Sequence, residues 1–83
     1  MGDLDSFREW LISTKSYQKR VAKDILSRLK RANGFIDLSN PSDYSIFCLD
    51  KNSDFNVLGV SVKSQIRKSI KLFIEYIEVK KES

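Results

Sequence analysis

Apolar residues recur every three or four positions along most of this 83-residue chain, the spacing of helices that bury one face. Leu4, Phe7, Trp10 and Leu11 predict a short first helix, with Asp3 and Asp5 serving its orphan N–H groups and its dipole. A second helix is better patterned. Tyr17, Val21, Ile25, Leu29 and Ala32 form one row, widened by Ala22 and Leu26. Ser16 is its expected N-cap and Asn33-Gly34 its left-handed stop. The FIDL stretch that follows is too short to need a partner strand, so Phe35, Ile36 and Leu38 are expected to pack as a connector. Asn40-Pro41 predicts a third helix, with Asn as N-cap and Pro at the first helical position. That helix should run to Asp50 and bury Tyr44, Phe47 and Cys48. Residues 51–60 form a turn-rich link anchored by Phe55, Val57 and Leu58. The last helix, capped by Ser61, has the core row Val62, Ile66, Ile70, Phe73 and Ile77. Leu72, Ile74 and Tyr76 broaden that row, so its carboxyl half should be the more deeply buried.

These elements predict an all-α fold, a compact orthogonal bundle of four to five helices making one domain over residues 1–83. Three Gly and one Pro are too few for the many turns of a sandwich or barrel. No apolar run approaches the roughly 20 residues of a membrane span. The opening MGDLDSFREW lacks a basic and then apolar leader, so no signal peptide is expected. Cys48 is the only cysteine, which excludes an internal disulfide and fits a reducing cytoplasm as the location. With no histidine and one thiol, Ser-His and Cys-His pairs and His-bearing or Cys-rich zinc sites are excluded. No pair of acids stands out for carboxylate chemistry, and Asp3, Asp5 and Glu9 read as helix-end electrostatics. Neither an enzyme, a cofactor nor a metal is expected. Trp10, Tyr17 and Tyr76 read as core or packing edges, and Cys48 as a small buried hydrophobe.

Charge changes the picture by its placement. Residues 15–33 hold seven Lys or Arg against one acid, a net +6, and residues 60–83 hold six against three, a net +3. The opening 14 residues come to −2 and residues 34–59 to −3. A surface built only for solubility mixes its signs. Two basic helices on an otherwise mildly acidic domain are the footprint of a polyanion binder. On a helical projection Lys19, Lys23 and Lys30 form one row opposite the core, with Arg20, Ser27 and Arg31 beside it and Lys15 and Arg28 flanking. Ser64, Arg67, Lys68 and Lys71 lie opposite the apolar row of the last helix. Phosphates suit this mixture: Lys is a mobile point charge, Arg a bidentate fork, Ser a neutral donor. Double-stranded DNA is the expected partner, together with a separate catalytic domain or a protein partner, and no membrane.

With its helices placed, the chain resembles the N-terminal core-binding domain of tyrosine recombinases and phage integrases, a SAM-like helical bundle. The resemblance rests on Phe7 with Trp10-Leu11 as an opening "F..WL", on DILSRLKRA at 24–32, and on SVKSQIRKSIKLFIEYI at 61–77. It covers nearly the whole chain through loose helix patterns. It implies a clamp on DNA formed by the second and last helices. Two departures matter: Val21 stands where the family commonly has Thr, and Ile25 where it commonly has Tyr. A Thr contact to phosphate is therefore not carried over. The family's catalytic Arg, Lys, His and nucleophilic Tyr belong to another domain, and nothing here supplies them. Charged faces opposite apolar ones occur on every soluble helix, so the bland alternative is a solvated surface. The rival functional reading is a helical protein–protein interaction module of a regulatory or defence protein. An exposed apolar patch on the order of several hundred Å² would favour that rival.

Overall fold

The computed structural model describes residues 4–82. Among these residues five helices and no strand form: α1 (Leu4–Ser13), α2 (Lys19–Asn33), α3 (Asp43–Lys51), α4 (Ser53–Asn56) and α5 (Val60–Glu82). The result is a small helical bundle. α5 is its spine, packing most extensively on α2 and also touching α1 and α3. Phe7 and Leu11 of α1, Ala22, Ile25, Leu29 and Ala32 of α2, and Ile66, Ile70, Leu72, Phe73 and Tyr76 of α5 make one core with Leu38, Leu49 and Phe55. The carboxyl half of α5 closes on α1 through aromatic rings. Phe7 meets Phe73 edge-on at 5.2 Å and Tyr76 at 5.3 Å, and Trp10 stands 5.5 Å from Tyr76. Such pairs add about 0.5–1.5 kcal/mol each beyond their burial. Ser69 is buried within this core, and its hydroxyl donates to the Ile66 carbonyl at 2.6 Å, which satisfies it locally.

Several helix ends differ from expectation. Asp3, expected at the start of α1, lies outside the described residues. Ser16 does not cap α2. It takes the left-handed region at φ 60 and turns the chain at the end of α1, so that the Tyr17 N–H donates to the Leu11 carbonyl at 3.1 Å. α2 then begins at Lys19, with Gln18 in the cap position making no side-chain bond. Tyr17 precedes the helix, Val21 is 37% exposed and Ala22 is buried in its place. Gly34 ends α2 without a left-handed turn, at φ −75, while its N–H donates to the Arg31 carbonyl at 3.0 Å.

The third helix starts later than Asn40-Pro41 predicted. Ser42 is its cap: its N–H donates to Ser45 Oγ at 3.0 Å, and the Ser45 N–H returns to the Ser42 carbonyl at 2.9 Å. α3 also faces differently. Ser45 and Leu49 are buried and Cys48 is half-buried, whereas Tyr44 is 69% and Phe47 54% exposed. The segment DYSIFCLDK carries apolar residues on two faces, so periodicity alone could not choose between them. In the link that follows, Phe55 is buried as expected and Leu58 is partly buried, but Val57 is exposed. Asn52 joins the pieces. Its side-chain NH₂ donates to the Phe35 carbonyl at 3.1 Å, and its Oδ1 accepts the Phe55 N–H at 2.9 Å. Ser61, the expected cap of the last helix, lies inside the first turn of α5, which opens one residue earlier and stays helical to Glu82.

Candidate nucleic-acid interface

The core row Ala22, Ile25, Leu29 and Ala32 fixes the roll of α2, and the opposite face follows from it. Lys19, Arg20, Lys23, Ser27, Lys30 and Arg31 are all exposed there. From Lys19 to Arg31, at about 1.5 Å per residue, this makes a strip about 18 Å long. Among the described residues, ion pairs join Arg8 to Glu9, Lys15 to Glu75 and Arg67 to Asp50; none engages a cation of the strip. Lys30 and Arg31 lie in the last turn, where cations complement the helix dipole. Lys19 and Arg20 lie in the first turn, at its positive end, and no acid accompanies them. Cations there oppose the dipole by about 0.3–1 kcal/mol each, so helix stability does not account for them. The first N–H groups of α2 also receive no side-chain cap from Gln18. Donors and positive charge are therefore left pointing outward together, the arrangement that suits an anion.

α1 adds a cation to this end. A shallow groove of about 270 Å³ between α1 and α2 is lined by Arg8, Glu9, Ile12, Lys19 and Lys23. Arg8 and Glu9 are only 3.9 Å apart and both largely exposed. The sequence reading missed Arg8 because Glu9 beside it cancels its charge in any count along the chain. That Arg8 lines a groove with Lys19 and Lys23 is visible only once α1 is docked.

α5 divides its predicted residues. Ser64, Lys68 and Lys71 are exposed on neighbouring turns. Lys68 Nζ lies 5.9 Å from the centre of the Tyr17 ring, which brings it to the start of α2. Arg67 is placed elsewhere. Its Nε donates to Asp50 Oδ1 on α3 at 2.8 Å, and its guanidinium lies 5.4 Å from the Phe55 ring. Arg67 thus ties α5 to α3 and α4. Lys15 is also engaged, 2.6 Å from Glu75 and 5.6 Å from the Trp10 ring.

No group of three or more His, Cys, Asp or Glu among the described residues could hold a metal ion. No helix of the described residues is long and apolar enough to cross a membrane. Asp37 is held below the usual carboxylate range by hydrogen bonds from Ser39, whose N–H donates at 2.9 Å. This is a local turn in the connector. Compared with known proteins, the chain matches no family model, no curated protein and no solved structure.

Proposed function

We propose that this domain binds duplex DNA through its phosphate backbone, as the DNA-clamping module of an integrase- or recombinase-like protein, with no catalysis of its own. One observation carries the reading. The α2 strip presents cations without acid partners, including two at the helix end where they oppose the dipole. Lys23, Lys30 and Arg31 extend the strip along α2, and Lys68 and Lys71 of α5 supply the second jaw. Arg67 is a strut of the fold in this reading, not a phosphate ligand.

The strip is poor in Asn and Gln, the readers of adenine edges, so binding depends little on sequence. Fluorescence anisotropy with two unrelated duplexes at physiological salt should give dissociation constants on the order of 10⁻⁴ to 10⁻⁶ M for both. A preference of about 100-fold for one of them would contradict backbone recognition. A protein-interaction module is the second reading, and a separate observation favours it: the exposed aromatic pair Tyr44 and Phe47 on α3.

A further inference from the structure

Tyr44 and Phe47 stack on each other outside the core, with ring centres 5.8 Å apart and planes 20° from parallel. Isolated exposed valines such as Val57 and Val60 are ordinary for a protein surface. A stacked pair of large aromatics in water is not, and such pairs anchor interfaces. The residues around the pair narrow its occupant. Asp43, Phe47 and Lys51 follow one another at intervals of four along α3, so they form one row, with Tyr44 beside it. Lys51 Nζ lies 5.4 Å from the Phe47 ring. Asp43 is exposed and has no cationic partner among the described residues. The row therefore reads acid, aromatic, base, with Phe47 at its midpoint.

That order is complementary to itself when reversed. The geometry points to a second copy of this chain as the occupant, docked with α3 antiparallel to α3 about a two-fold axis at Phe47. Phe47 and Tyr44 of each copy stack on those of the other at the centre. Each Asp43 meets the Lys51 of the opposite copy, and the two helix dipoles lie antiparallel. Two-fold pairing of one patch with itself is the commonest route to a closed oligomer. The patch is one helix face about 13 Å long, far below a standard interface, so the dimer is weak and concentration-dependent. The inference rests on the exposed pair and the charged row that flanks it, and it does not depend on DNA binding.

Sedimentation velocity on the whole chain without DNA tests it. The weight-average mass should climb toward twice the monomer as concentration rises from about 20 µM to about 1 mM, the range of a weak complex. Phe47→Ser should abolish the climb while circular dichroism stays native, because the ring is outside the core. Asp43→Lys leaves two lysines on the row and Lys51→Asp leaves two aspartates, so each variant alone should self-associate at least tenfold more weakly. Mixed in equal amounts, the two should associate more tightly than either alone. Wild-type protein that stays monomeric at about 1 mM would assign the face to a different partner and overturn the inference. Association that survives Phe47→Ser, or a mixture no tighter than its components, would also overturn it.

Discussion

Arg67 touches both the carboxylate of Asp50 and the ring of Phe55, whereas Lys23 meets no acid among the described residues. Two cations opposite apolar rows can therefore serve different ends. The Arg67–Asp50 pair is partly exposed, 31% and 43% for the two side chains, so solvent screens it and it contributes at most about 1 kcal/mol. Arg67→Ala should lower stability in urea melts by about 0.5–1 kcal/mol and leave the salt dependence of DNA binding almost unchanged. Lys23→Ala should do the reverse. Its stability should stay within about 0.5 kcal/mol of wild type, with a shallower salt slope. If Arg67→Ala flattens the slope and leaves stability intact, Arg67 is a phosphate ligand after all. The exposure of Lys19, Arg20, Lys23, Ser27, Lys30 and Arg31 was legible in the sequence, because the helical period alone sets it. The partner of Arg67 was not. Asp50 lies 17 residues away, and no local spacing marks a pair made by docking two helices.

At the scale of elements, α2 and α5 were the most readable because each carries a long, clean apolar row. The row of α2 still needed correction, since Ala22 is buried where Val21 was expected and Tyr17 precedes the helix. Ile25→Asp should unfold the domain, because a carboxylate there loses its water for several kcal/mol. Val21→Asp, one turn earlier and 37% exposed, should keep native helicity and most of the thermal stability. Circular dichroism melts distinguish the two, and equal unfolding would mean α2 is rolled differently. α3 was legible in existence and not in facing, because DYSIFCLDK offers two apolar faces and the Ser42–Ser45 cap is a turn signal with no hydrophobic period. The turn before α2 was misread for a related reason. Ser suits both an N-cap and a loop, and only the return of the Tyr17 N–H to Leu11 settles which it serves. A left-handed non-Gly residue costs about 1 kcal/mol, so Ser16→Gly should raise stability by up to that amount. A drop in melting temperature would show that the φ of 60 at Ser16 carries no strain.

For the whole molecule, α5 holds α1, α2 and α3 around one core, and the charge of the chain is divided accordingly. The basic strip lies along α2 and continues to Lys68 beside Tyr17, while the net negative segment 34–59 supplies α3, α4 and the connector. On the proposed reading, a polyanion is drawn to the α2 strip and its continuation at Lys68. General attraction to net charge would instead draw on every exposed cation alike, including Lys80 and Lys81 at the end of α5. The salt dependence of duplex binding separates these cases. In anisotropy titrations, Lys23→Ala, Arg31→Ala and Lys68→Ala should each reduce the slope of log K against log salt by roughly 0.9, one phosphate's worth of released counterions. Lys80→Ala and Lys81→Ala should leave the slope unchanged. Equal effects from the strip and the carboxyl-terminal lysines would contradict the clamp, and no binding by about 50 µM protein in about 50 mM salt would contradict DNA recognition altogether.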